Sequence, residues 1–234
     1  MRLRQWICAV LCSVLMGHAS IASADYFVGF RAFQLGDVEI AVAQWEPLAD
    51  AGDIDSQNSL GALYKFGLGV PKNGAAAVKY YQLSADQGDA AGQYGLATMY
   101  ASGEGVEQSD EKALSWFTLA AKQGDEDAQY NLGLIYQQGK GVLKNEKSAF
   151  EWFYKAATQG LPEAQVRLGL MYKNGTGVAQ NPDKAYVWLN IGAYGGDLLG
   201  IEAKRALDED LSLEERTTLQ MFSNRCLSTN YQDC

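Results

Sequence analysis

A single histidine, His18, and four cysteines are all that 234 residues offer of the side chains most used in catalysis and metal binding. Residues 1–24 read as an export leader. Arg2 and Arg4 make a positive start, Trp6 to Met16 an apolar stretch, and Ala22-Ser23-Ala24 a small-residue cleavage site. The apolar run is shorter than the ~20 residues a spanning helix needs, and Gly17 and His18 interrupt it, which argues against an uncleaved anchor. Leu11 before Cys12 is too bulky for a lipidation site. Once cleaved, the chain keeps no histidine and only Cys226 and Cys234. Without histidine it cannot build a Ser-His-Asp or Cys-His couple or an imidazole metal site. No catalytic residue, metal ligand or cofactor is therefore expected. Two thiols so close in an exported chain predict a Cys226–Cys234 disulfide, with intermolecular pairing as the alternative.

Cations are also short. Nineteen Lys and Arg face 28 Asp and Glu, a net charge of −9, which becomes −9 − 2 = −11 when Arg2 and Arg4 leave with the leader. Nucleic acid and anionic membranes need clustered Lys and Arg, so neither is an expected partner. No membrane span is expected after cleavage. The mature chain is predicted to be periplasmic or secreted.

What is present is a repeat. Tyr64, Tyr100, Tyr136 and Tyr172 are 36 apart, as are Gly67, Gly103, Gly139 and Gly175, and Gly52, Gly88, Gly124, Gly160 and Gly196. Each period holds two helical patterns. The first carries a small residue, a leucine and the tyrosine at offsets 0, 4 and 8, as in Ala128, Leu132 and Tyr136, all on one side of a 3.6-residue helix. The second carries Ala149, Trp152, Phe153 and Ala157 and their counterparts, again one stripe. A period of this size with two helices is the mark of an all-α solenoid of antiparallel helix pairs. The aromatic ladder could be a sugar- or base-stacking platform, but its strict period favours core, with each Trp ring filling the space between units. Gly139-Lys140-Gly141 between the helices lacks the spacing, hydroxyl residue and preceding strand of a phosphate loop.

The organisation follows: leader 1–24, a degenerate opening unit 25–53 with Trp45 one place past the usual aromatic position, four repeats over 54–196, and capping helices with a tail over 197–234. Asp53, Asp89, Asp125, Glu126 and Asp127 follow the glycines that end units, where acids suit helix N-termini. Ser212-Leu-Glu-Glu215 reads as a capping box. Asp208-Glu209-Asp210 could hold a divalent cation weakly, though a solvated turn is the simpler reading.

Ala128-Gln129, Leu132-Gly133, Tyr136, Gly139-x-Gly141-Val142, Ala149, Trp152, Ala156-Ala157 and Gly160 resemble the Sel1-like repeat, a relative of the tetratricopeptide repeat. Departures are Tyr80 for Trp, Ala76 for a common Lys or Asp, and Gly192 for the first alanine of the pair. The resemblance implies a right-handed superhelix used for protein binding, with secreted bacterial relatives acting as adaptors in envelope assembly, signalling or host contact. Some cysteine-rich relatives are described as β-lactam-binding or β-lactam-hydrolysing enzymes. This chain lacks their in-repeat cysteine pairs, and neither Ser84-Ala-Asp-Gln87 nor Ser115-Trp-Phe-Thr118 completes an SxxK motif. The expected function is a non-enzymatic scaffold holding a protein or peptide partner.

Where the partner binds is predicted from variation among units. On the first helices, positions opposite the leucine and tyrosine differ from repeat to repeat: Asn58, Tyr94, Tyr130, Val166; Ala62, Thr98, Leu134, Leu170; Lys65, Ala101, Gln137, Lys173. Tyr94, Thr98, Tyr130, Leu134, Gln137, Val166, Leu170 and Lys173 form the candidate face, with its apolar members making an exposed inner strip. The competing reading is that neighbouring first helices bury these side chains as packing.

Overall fold

Helix ends are fixed by local chemistry that repeats with the period. Three first helices start after an aspartate whose carboxylate accepts a backbone N–H three residues on: Asp53 from Ser56 (2.9 Å), Asp89 from Gly92 (2.8 Å) and Asp125 from Ala128 (2.7 Å). Second helices start after Asn73, Ser109, Asn145 and Asn181, capped in the same way. The fourth first helix has no side-chain cap after Leu161 and begins on Pro162, whose missing N–H needs none. Each first helix stops at a left-handed glycine, Gly67, Gly103, Gly139 or Gly175, a conformation that a Cβ would strain.

The computed structural model describes residues 26–231 and Cys234. The leader and the site of its cleavage lie outside the described residues. All regular structure among the described residues is helical. The helices are α1 (26–35), α2 (Val38–Asp50), α3 (Ile54–Phe66), α4 (Gly74–Asp86), α5 (Ala90–Ser102), α6 (Asp110–Lys122), α7 (Glu126–Gln138), α8 (Glu146–Thr158), α9 (Pro162–Asn174), α10 (Pro182–Tyr194), α11 (Leu198–Asp208) and α12 (Leu213–Ser228). The chain is an array of helix pairs with a 36-residue period. It divides between Gln108 and Ser109 into two compact units.

In the first unit Ala41, Trp45, Leu60, Leu63 and Tyr80 are buried together. Trp45 is thus core despite its shifted register: its indole donates to the Tyr26 carbonyl at 3.1 Å and lies so close over Gly29 that a Cβ there would overlap it. In the second unit one cluster gathers Leu168, Ala185, Trp188, Leu219 and Cys226, and another joins Phe153 to Ala149 and Met171. Leu60, Leu96, Leu132 and Leu168 are wholly buried, each in the unit that holds it.

The aromatic ladder needs a correction. Trp116 and Trp152 are only half-buried, and the residue after each, Phe117 and Phe153, is the core residue. The reason is phase: the second position of the pair points at the glycine of the first helix, so that a Cβ on Gly133 would come within 2.5 Å of the Phe153 ring. The Trp152 indole sits at the edge under the Lys155 ammonium, 3.9 Å from its centroid, a cation–π arrangement. Trp188 alone of the three is fully buried, because the chain after α12 returns to cover it. Tyr231 stacks on its ring with centroids 6.1 Å apart.

That return is tied by a disulfide between Cys226 and Cys234, whose Cα atoms are 5.2 Å apart. The capping box at Ser212 and Glu215 is present in both directions and holds the Glu215 carboxyl below its usual range. Reducing the disulfide is expected to lower stability by about 2–3 kcal/mol, the chain-entropy value for so short a closed loop. Urea unfolding with and without reductant measures it. Identical midpoints, or two free thiols in the native protein, would remove the disulfide from the account.

Candidate partner-binding face

The variable column of the first helices falls in both units. In the first unit it is a polar network between α3 and α5. Lys65 Nζ donates to Thr98 Oγ1 at 2.6 Å, and Thr98 donates onward to the Gly95 carbonyl at 2.7 Å. Asn58 donates to Asp89 at 2.9 Å. Burial pushes the Lys65 ammonium below its usual pKa. Tyr94 is half-buried nearby on α5.

In the second unit Tyr130, Leu134 and Gln137 on α7 and Leu170 and Lys173 on α9 are half-buried. The Tyr130 ring packs against Phe153 at 5.6 Å between centroids, and Leu134 lies against the Phe153 and Met171 cluster. The exposed apolar strip expected from sequence is therefore not what forms: these side chains line the floor between helices rather than standing out from it. Val166 leaves the candidate face altogether. It is 1% exposed, inserted where a Cβ on Gly192 or Gly200 would overlap its methyl group. The departure of Gly192 from the repeat pattern thus makes room for Val166, and α11 seals it.

A second feature joins repeats without appearing among the candidates. Gln57 is buried and donates to the Ala49 carbonyl at 2.8 Å while accepting from Gln87 at 2.8 Å; Gln87 also donates to the Gly52 carbonyl at 3.1 Å. Gln129 and Gln159 repeat this geometry on Ala121 and Gly124. Gln165 donates to Ala157 at 3.2 Å. The signal was available as glutamines 36 apart paired with glutamines 30 further on.

Among the described residues no three His, Cys, Asp or Glu side chains come together to hold a metal ion. Asp208 of the acidic run is instead engaged by Lys204 at 2.6 Å and by the Tyr186 hydroxyl at 3.0 Å. One SxxK run is complete, Ser109-Asp-Glu-Lys112. It opens α6, where the Ser109 hydroxyl accepts the Lys112 backbone N–H at 3.3 Å and serves as a helix cap. No described helix is long and apolar enough to cross a membrane.

Comparison with known proteins agrees with this geometry. The Sel1 repeat model matches residues 54–89, 90–125, 126–161 and 162–197. A solved structure of a protective antigen of uropathogenic Escherichia coli, displaying an SLR fold, is 32% identical with a TM-score of 0.80; the match covers 90% of this chain and 47% of the antigen. The chain thus spans about half the length of that relative. A Sel1 repeat protein from Oxalobacter formigenes is 31% identical, with a TM-score of 0.69 over 75% of this chain and 72% of the other. A sel1 repeat protein from Klebsiella pneumoniae, 23% identical, shares the fold with a TM-score of 0.53 over 82% of this chain and 96% of its own. No curated protein matches the sequence. Repeats of this kind are scaffolds typical of protein–protein interaction.

Proposed function

The chain belongs to the Sel1 repeat family, and we propose that it is an exported, non-enzymatic adaptor that holds a protein or peptide partner on its first helices. The observation that carries this reading is the variable column. Leucine and tyrosine recur in all four first helices, whereas this column holds no residue type in common to all four (Asn58, Tyr94, Tyr130, Val166; Ala62, Thr98, Leu134, Leu170; Lys65, Ala101, Gln137, Lys173). The side chains of Tyr130, Leu134 and Gln137 on α7 and of Leu170 and Lys173 on α9 are half-open to solvent. Tyr94 and Thr98 hold the same column in the first unit. A mixed apolar and polar floor of this kind suits a partner segment that brings both kinds of side chain. Export rests on the leader pattern of residues 1–24, and the absence of histidine after His18 supports a non-catalytic role.

Photocrosslinking in cells tests the face. A photoreactive phenylalanine analogue at Gln137 or Lys173 is expected to give one discrete adduct in the envelope fraction, and the same analogue at exposed Glu151 to give none. Equal adducts from both places, or none from either, would count against the face. Intact mass of the fractionated protein should start at Asp25. The rival reading, a β-lactam-reactive serine, falls on Ser109. Covalent labelling by a penicillin that disappears in Ser109→Ala would replace the adaptor with an enzyme.

A further inference from the structure

At the end of the last repeat, α10, α11 and α12 line a groove of about 390 Å³ whose residues include Asn190, Tyr194, Ile201, Arg205 and Gln220. The size suits a short peptide end. Asn190 is only 2% exposed, and its Nδ2 has no hydrogen-bond partner. Its burial comes from the C-terminal helices, since Tyr154, one period earlier, is exposed. An adjoining groove of about 370 Å³ shares Lys204, Asp208 and Gln220 with the first and adds Arg216, whose Nε is likewise buried without a partner. Buried polar groups are nearly always satisfied, so the orphan amide of Asn190 in the first groove points to a missing acceptor.

The charges around it have the matching sign. Asp208 is held by Lys204 and by Tyr186, so its carboxylate is already matched. Burial pulls the Lys204 pKa down, but the hydrogen bonds and charges of Asp208 and Tyr186 together outweigh it and leave the pKa raised, so the ammonium stays charged. Arg205 lines the rim, is exposed, and has no partner among the described residues. In a chain of net charge −9 this is a local excess of cations and N–H donors. Apolar surface flanks these groups on the same two helices, from Ala193 and the ring of Tyr194 on α10 and from Ile201 on α11. Gln220 donates to the Tyr194 hydroxyl at 3.1 Å, a solvent-exposed bond that a ligand can displace.

We propose that this groove takes the C-terminal carboxylate of a peptide whose last side chain is apolar. One carboxylate oxygen accepts from Asn190 and the other faces Arg205, while the apolar side chain lies on Ile201 and Ala193. A guanidinium and an amide N–H suit the two oxygens of a carboxylate, and the apolar wall distinguishes a peptide end from a bare anion. The site is separate from the first-helix face, so its failure leaves the crosslinks from Gln137 and Lys173 untouched.

Fluorescence polarisation of the full chain with a labelled hexapeptide ending in Ala-Ala-Leu tests this, using the free acid and the C-terminal amide of the same peptide. The acid is expected to bind at least about tenfold more tightly than the amide, a difference of ~1.4 kcal/mol. Arg205→Glu, at an exposed position that leaves the fold intact, should remove that preference, and Arg205→Lys should keep part of it. Asn190→Leu should lose it too, with the melting temperature reporting separately on folding. Equal affinity for acid and amide, or no binding of either at about 1 mM, overturns the proposal. So does full competition by inorganic phosphate at the peptide's own affinity, which would make the groove a general anion site.

Discussion

Phe153→Ala is expected to lower the unfolding free energy of the second unit by about 3–5 kcal/mol, the range for emptying a fully buried aromatic position. Phe153 is completely inaccessible, sits over Gly133 where no Cβ intervenes, and supports the Tyr130 ring from α8. Removing it leaves a cavity between α7, α8 and α9 that a backbone fixed by capped helices cannot collapse to fill. Trp152→Ala deletes a larger side chain but a half-buried one, with the Lys155 ammonium over one face of its ring. Its expected loss is smaller, about 1–2 kcal/mol, in proportion to the area it covers. Urea unfolding of both variants decides the order. A Trp152→Ala loss equal to or above that of Phe153→Ala would return the tryptophan to the core.

Gly105→Ala should be among the most damaging single-methyl additions in the first unit. Gly105 has φ of +73°, and a Cβ there would stand 2.0 Å from the Gly74 carbonyl carbon, a backbone atom at the start of α4. A left-handed conformation costs an alanine roughly 1–2 kcal/mol. The overlap adds to this, because relieving it means moving the turn off the neighbouring helix. Gly88→Ala separates the two effects. Gly88 also has positive φ, +86°, but a Cβ there meets nothing within 4 Å. Its loss should stay near the dihedral value, while Gly105→Ala should exceed it by several kcal/mol, on the order of a badly overpacked site. Equal thermal shifts for the two variants would show that the turn gives way freely and that its contact with α4 is not a constraint.

The period, the caps and the glycine stops were legible because each depends on chemistry within one helical turn: an aspartate three residues before an N–H it can reach, a glycine where φ must be positive. The choice between Trp152 and Phe153 was not. Both are aromatic and lie on one stripe, and only the position of Gly133 across the helix pair decides which ring goes inside. Val166 illustrates the same limit at the candidate face. It occupies the column of Asn58, Tyr94 and Tyr130, yet Gly192 and Gly200 from two other helices draw it into the core. Its role was written in those glycines, one of which stood out as a departure from the pattern without revealing what it admitted. The carboxylate groove has no periodic signature at all, since it exists only where α11 and α12 break the repeat.

The bridging glutamines give the array a direction. Gln57 and Gln87 both donate to carbonyls of the preceding segment, at Ala49 and Gly52, and Gln129 and Gln159 do the same at Ala121 and Gly124. Acceptors therefore always lie earlier in the chain than the amides that seek them. A fragment cut at its C-terminal side keeps its amides matched and leaves only carbonyls that water can reach. A fragment cut at its N-terminal side strands the amides instead. Synthesis runs the same way, so a helix pair emerging from the ribosome meets a finished docking edge on the pair before it.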